Sequence, residues 1–465
     1  MPGDKRICSG CISDAFLKGT IDQSQDTDQA CHYCGGDRPT IDMFSVAEMC
    51  DRVIENFYEV SSQSDAVIHH GWPADGDDLR DVLDSLLDPP ADAGDDLADL
   101  LLEIWFDYSC HEHRYGEDPS FIEKSTLAWT LSHAWQQMEE SLRHEARFLN
   151  PKAANLLEDV FGSILNDRTY QGASVVEELG TGSAYDILYR ARVFQTLDAL
   201  ESAFEHPERH FGPPPPGKGT AGRMNAKGVP IFYGATKPVI AISEVRPPVG
   251  SHVVVAQFKI VRPLKVLDLR QLGTVRLKPE SSLFDPETIK QATRRDFLRD
   301  LTRQIVTPVV PELEDHRYVV TQAIADFLST HPKLNLDGII FPSAQLSDET
   351  DQPGSNVILF NKASRVLYSD ERYGKRTCVS LYEYDEDSPD GRIEPSITTK
   401  ENLTEKDTDV WDWGVSERYQ PALQLDLDAI SIVEVEGVKY KVSSYEVGHT
   451  VDKTTKSEPE NELDF

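Results

Sequence analysis

Apolar residues recur at intervals of three and four in SVAEMCDRVIENFYEV (45–60) and STLAWTLSHAWQQMEESLRHEARFL (125–149), the period of an amphipathic helix. DDLRDVLDSLLD (77–88) and DDLADLLLEIWFDY (95–108) carry acidic residues at their starts, which complements a helix dipole, and Pro89–Pro90 separates them. Residues 41–170 therefore read as a helical unit. His111, His113 and the tryptophans of this region read as surface or core residues.

After EELGTGSAYD (177–186) the period changes. AYDILYRARVFQ (184–195) reads as a strand entering a helix or turn, and VPIFYGA, HVVVAQFKIV and LKVLDL as strands. DPETIKQATRRDFLRDLTRQI (285–305) is a helix with Asp285 as N-cap and Pro286 in its first position. HRYVVTQAIADFLSTH is a second helix. DGIIFPSA and NVILF are short apolar runs expected as central strands. This mixture predicts an α+β fold. PPPPGKGTAGR (213–223) is a stiff proline run followed by a flexible glycine loop, without the spacing of a P-loop. ISIVEVEGVKYKVSSYEV (430–447) alternates and predicts a hairpin turning near Glu436–Gly437. EDSPDG and ITTKENLTEKDTD read as loops, and 452–465 as a disordered acidic tail. Trp411 and Trp413 read as packing residues.

The pattern divides the chain into a cysteine element at 1–40, the helical unit at 41–170, the mixed region at 171–365 and a C-terminal extension at 366–465. No apolar run approaches the ~20 residues that span a bilayer, and the start lacks a signal-peptide core, so a soluble cytoplasmic protein is expected. The net charge is −34. It is uneven: residues 41–170 hold 8 basic and 28 acidic residues, whereas 171–360 hold 21 and 22. The acidic surface argues against a nucleic-acid partner, and the near-neutral middle is the segment suited to an anionic ligand.

Cys8/Cys11 and Cys31/Cys34 form two CxxC pairs in CSGCISDAFLKGTIDQSQDTDQACHYC (8–34). Each CxxC turn places two thiolates on one edge of a tetrahedron, so the four together suit a closed structural zinc site. His32 adjoins Cys31 and is expected to point elsewhere. Cys50, Cys110 and Cys378 lack partners at ligand spacing.

Four short pieces remain: LYRAR (188–192), AGRMNAKGVPIFYGA (221–235), AISEVRP (241–247) and DGIIFPSAQ…GSNVILF (337–360). In this order they resemble the RES domain, over roughly residues 180–362, and the upstream part resembles the helical HEPN-like unit that precedes some RES domains. The resemblance implies an ADP-ribosyltransferase-like fold and a toxin that consumes NAD, some members by phosphorolysis of the nicotinamide–ribose bond. By motif matching the family's three named residues are Arg190 or Arg223, Glu244 and Ser343; Glu244, Arg223 and Ser343 are the candidates for catalysis and Arg190, Arg223, Tyr233 and Ser343 for NAD binding, with Asn225 and Gln322 as further binding candidates.

The chemistry suits these residue types. Arginine binds pyrophosphate bidentately, and an aromatic face attracts the cationic nicotinamide ring. The leaving group is already cationic, so a carboxylate is needed to stabilise the oxocarbenium-like sugar rather than a general acid. Tyr233 and Glu244 are expected on two apolar segments lying side by side around a turn. The competing readings are ADP-ribosyl transfer to a macromolecule and a non-catalytic nucleotide sensor. Ribonuclease action by the helical unit is disfavoured, since no arginine in 41–170 precedes a histidine by four to seven positions. A toxin needs restraint, so an antitoxin or a regulatory protein is an expected partner, as is phosphate.

Overall fold

The computed structural model describes residues 2–24, 26, 29–61, 75–116, 118–278, 281–306, 314–343, 354–367, 376–385, 388–400, 420–439 and 442–449. Trp411, Trp413 and the tail expected to be disordered lie outside these residues.

The N-terminal part is helical around small ladders. Strands β1 (Arg6–Cys8) and β2 (Thr40–Asp42) pair antiparallel and bracket the helix α1 (Ala15–Ser24). Helix α2 (Met43–Phe57) is capped by Asp42, which accepts from Ser45 N at 2.8 Å, and α3 (Leu79–Leu87) by Asp78 in the same way. Helix α4 (Ala91–Trp105) follows the Pro89–Pro90 break. Two further ladders join β3 (Tyr58–Val60) to a later strand and β4 (Phe106–Asp107) to β5 (Glu112–His113); the partner of β3 is β6 (Phe121–Glu123). Leu17, Met43, Ile54, Leu83, Leu101 and Phe121 fill this core, and Phe284, far downstream, enters it as well. Helices α5 (Trp129–His144) and α6 (Pro151–Phe161) come next.

The remainder is built on a mixed eight-stranded sheet: β7 (Val176–Leu179), β8 (Ile187–Phe194), β9 (Phe232–Ala235), β10 (His252–Ile260), β11 (Leu264–Asp268), β12 (Gly338–Pro342), β13 (Ser355–Leu359) and, after the separate β14–β15 ladder (Arg376–Asp385 with Ser388–Lys400), β16 (Leu423–Glu434). The order is β16-β10-β8-β9-β13-β12-β11-β7, with β11 and β12 parallel and the other pairs antiparallel. The two apolar runs expected as central strands, β12 and β13, are central.

The sheet has a weak seam. Strand β8 pairs with β10 along its whole length but meets β9 in a single register pair, Tyr189 with Ala235. One face buries Leu188, Phe232, Val254, Phe258, Ile340 and Val357 beneath α7 (Leu197–Ala203) and α8 (Pro207–Phe211). The opposite face is covered in two places. Ala191, Ala235 and Val255 pack under α9 (Pro238–Glu244). Leu267, Ile339 and Ile358 pack under α11 (Pro286–Val306) and α12 (Glu314–Thr330), which follow the short α10 (Leu269–Leu272). Trp135 and Leu142 of α5 and Leu157 and Phe161 of α6 belong to that same cluster; the Trp135 and Phe297 rings are 5.1 Å apart. The helices before the sheet thus share its core.

Three local expectations are corrected. AISEVRP does not lie beside β9 as a second extended segment: Pro238 opens a helix that buries Ile240 and Ala241 and ends at Glu244. The hairpin around Glu436–Gly437 is not seen: its first arm pairs instead with β10 as the edge strand of the sheet (Val253 with Val433, Val255 with Ser431), and 435–439 and 442–449 hold no strand. The loop readings of SPDG and ITTK give way to β15, which pairs with β14. Among the described residues, no helix is long and apolar enough to cross a membrane.

Candidate functional site

Glu244 is the last residue of α9 and is exposed. A carboxylate at a helix C-terminus opposes the helix dipole, so its place there needs compensating donors. Two are present. Asn356 Nδ2, on β13, donates to Glu244 Oε1 at 2.7 Å, and Ser343 Oγ, just past β12, donates to the same oxygen at 3.1 Å. Asn356 is 6% exposed and stands opposite Ala235 in the β9–β13 register, so the sheet fixes its position. The structure therefore brings Glu244 and Ser343 together, although they are 99 residues apart.

The GRMN loop forms a second group. Asn225 donates to the carbonyls of Thr220, Ala226 and Val229 and accepts from Tyr233 Oη at 2.8 Å. Gln322 on α12 donates to the carbonyls of Gly222 and Asn225, and Thr321 to that of Arg223. A Cβ at Gly222 would lie 2.5 Å from Tyr233 Oη and 2.8 Å from Asn225 Oδ1, so the loop closes this tightly on glycine alone. Arg223 Nη1 donates to Ile305 O in the last turn of α11, where a cation is favoured by the dipole. Burial raises the Tyr233 hydroxyl to about 12, so it stays protonated at physiological pH. In this arrangement Asn225 and Gln322 hold the loop, and Tyr233 links it to β9.

Arg190 stands apart from both groups. Opposite Ala256 on β10, it leaves the sheet on the Leu188–Phe232 face, whereas Ala191, Tyr233 and Asn356 lie on the other. It is tied to the seam nonetheless: its Nη1 donates to Tyr233 O at 3.2 Å, and its guanidinium lies 5.2 Å over the Phe232 ring.

Sequence reasoning missed Asn356, whose role depends on strand register rather than on any local motif. It also missed the neighbouring ion cluster. Ser355, one residue earlier on β13, turns to the opposite face and accepts from Arg270 Nη1 at 3.0 Å, while Arg270 grips the fully buried Asp268 through Nε at 2.7 Å and Nη2 at 2.9 Å. Glu177 lies 3.5 Å from Arg270, and burial together with Asp268 raises its carboxyl above the usual range.

The cysteine element forms a cluster that could hold a metal ion. Sγ separations are 3.8 Å for Cys8–Cys11, 3.5 Å for Cys8–Cys34 and 3.9 Å for Cys11–Cys31, and all four sulfurs lie within 4.8 Å of one another. A tetrahedral zinc with four thiolates has S···S edges of about 3.8 Å, so the residues present fit such an ion. His32 is exposed and outside the cluster. Burial raises the Cys8 and Cys11 thiols; Cys31 is buried too, but backbone donors at Cys34, Tyr33 and Cys8 bring it down to about 7.

The model of the RES domain family matches residues 187–381, from β8 into β14. The resemblance drawn from the motifs is borne out over that segment, which contains Arg190, Arg223, Tyr233, Glu244 and Ser343. Neither the curated proteins nor the solved structures contain a match to the chain.

Proposed function

We propose that this protein is an NAD-consuming enzyme that cleaves the nicotinamide–ribose bond, passes the ADP-ribosyl group to phosphate or water, and acts as a toxin or defence effector. The observation that carries this reading is the Glu244 carboxylate, fixed through Oε1 by Asn356 and Ser343 within a segment that matches the RES domain. With one oxygen held, the other would stabilise positive charge on the departing sugar, the charge that develops when a cationic leaving group departs. Ser343, beside that carboxylate, would bind a ribose or phosphate oxygen. Arg223 and Arg190 would meet the anionic part of the dinucleotide, and Tyr233, on β9 and bonded to Asn225 of the loop, would meet the nicotinamide ring. This placement is consistent with an ADP-ribosyltransferase-like site at the β8–β9 seam.

The metal at Cys8, Cys11, Cys31 and Cys34 is, in this reading, a structural zinc, because four thiolates leave no open position for chemistry. The helical N-terminal part would be a HEPN-like regulatory unit, and an antitoxin or this unit would restrain the enzyme.

Following nicotinamide release from NAD with and without phosphate tests the reaction. Release stimulated by phosphate identifies phosphorolysis, and release indifferent to it identifies hydrolysis. No release in either condition, with NAD binding intact, would reject the reading in favour of a nucleotide sensor.

A further inference from the structure

Three consecutive residues, Gly354, Ser355 and Asn356, seat the Glu244 carboxylate. Gly354 lies against α9: a Cβ there would collide with Ile240 Cδ1 and would stand 3.3 Å from Lys237 Cδ. Ile240 is buried, so room for that carbon comes only from shifting the helix that ends at Glu244. Ser355 is buried and tied to the start of the same helix, since its N donates to Thr236 Oγ1 at 2.9 Å and its O accepts from Thr236 N at 2.9 Å. It also stands opposite Pro342 in the β12–β13 register, and Ser343 follows Pro342 directly. Asn356 holds Glu244 itself. Both donors to the carboxylate, and the helix that carries it, therefore take their places from Ser355.

The Ser355 side chain points the other way, to the face away from α9, where its Oγ accepts from Arg270 Nη1 at 3.0 Å. Arg270 has little freedom. Asp268 at the end of β11 is fully buried; its Oδ1 accepts from Arg270 N at 2.9 Å and from Nε at 2.7 Å, and its Oδ2 from Nη2 at 2.9 Å. A guanidinium fork gripped in this way by one carboxylate leaves Nη1 as a directed donor. That nitrogen also reaches the Tyr185 hydroxyl at 3.3 Å. Neither charge of the pair can leave without stranding the other in the core, so the donor stays where the fold puts it.

We propose that Arg270, fixed by Asp268, is a positioning residue for Glu244 and acts through Ser355. It touches neither the carboxylate nor a ligand. Its bond to Ser355 pins the start of β13, and from that point Asn356, Ser343 and the first turn of α9 are set on the far face of the sheet. The consequence for catalysis rests on the function proposed above; the placement of the carboxylate does not.

The test compares wild type, Ser355→Ala and Asn356→Ala in the full chain, at a temperature where melting curves show each to be folded. Ser355→Ala is the decisive variant, because it removes the bond to Arg270 and leaves the Arg270–Asp268 pair intact; Arg270→Met would strand a buried carboxylate and endanger the fold instead. Two quantities are read. One is kcat and KM for nicotinamide release. The other is the rate at which a water-soluble carbodiimide with glycinamide labels Glu244, followed by peptide mass spectrometry. Labelling needs no turnover, so failure of the proposed reaction and failure of the positioning claim are distinguishable. In Ser355→Ala, kcat is expected to fall about tenfold, the scale of one hydrogen bond to a charged group, with KM nearly unchanged. Labelling of Glu244 rises, as it does in Asn356→Ala, because the carboxylate is no longer held. A purely structural role would lower the melting temperature of Ser355→Ala and leave kcat and labelling at their wild-type values, which overturns the proposal. Labelling at the wild-type rate in Ser355→Ala overturns it as well, whether or not wild type releases nicotinamide.

Discussion

Asn356 Nδ2 lies 2.7 Å from Glu244 Oε1, a bond that joins a buried position in the centre of the sheet to the exposed end of α9 across 112 residues of sequence. Because Asn356 touches the carboxylate and not the substrate in this account, it is a positioning residue. Asn356→Ala is expected to lower kcat for nicotinamide release about ten- to a hundredfold, with KM for NAD changed far less. Initial rates over a range of NAD concentrations separate the two, and an unchanged kcat would remove Asn356 from the account.

The pair also marks what the sequence does and does not disclose. Glu244 and Ser343 lie in short motifs that could be quoted as strings. Asn356 sits in NVILF, where only its pairing with Ala235 reveals that it faces α9. The same limit explains the missing hairpin: alternation in ISIVEVEGVKYKVSSYEV reports a strand but not its partner, and β10 supplies the partner. Arg190 was legible as a motif residue, but its face was not, because a strand's face is set by its neighbours. By contrast, the cysteine cluster was legible outright, since CxxC spacing fixes local geometry and only the meeting of the two pairs needs the fold.

Gly222 tests how the GRMN loop is built. Gly222→Ala puts a methyl group 2.5 Å from Tyr233 Oη and 2.8 Å from Asn225 Oδ1, so one of these must move. The expected cost is about 1–3 kcal/mol of stability, as for other overpacked sites, with loss of the Tyr233–Asn225 bond and a fall in activity. Denaturant titration measures the first part; a stability equal to wild type would mean that the loop is looser than described.

The cysteine cluster predicts one zinc per chain by elemental analysis, lost in Cys8→Ser and in Cys31→Ser. Cys8, Cys11 and Cys31 belong to the same packed core as Leu17, Met43 and Leu101, so chelation should unfold that part of the chain. Structural zinc binding in small fingers is worth on the order of 10 kcal/mol, comparable to the whole stability of a typical domain. Circular dichroism before and after chelation reads the effect, and an unchanged helical signal would contradict it.

Glu177 gives a pH dependence with a definite sign. Its folded pKa is raised above the ordinary 4.5, by burial first and then by Asp268. Between the unfolded and the folded value the native state therefore holds the extra proton, and stability falls as pH rises through that window. Glu177→Gln removes this contribution, so the variant should flatten the decline. Melting temperatures of both proteins from pH 4 upward, read as a difference, check this; parallel curves would show that Glu177 does not titrate in that way.

The central claim is that Glu244 stabilises the sugar cation formed as nicotinamide leaves. The most direct measurement is nicotinamide release at saturating NAD by wild type and by Glu244→Gln, which keeps the side chain's shape and its contacts with Asn356 and Ser343. The account predicts a loss of at least about a hundredfold in kcat, the scale of removing a preorganised electrostatic group, with NAD binding retained. Release by Glu244→Gln at the wild-type rate would contradict it.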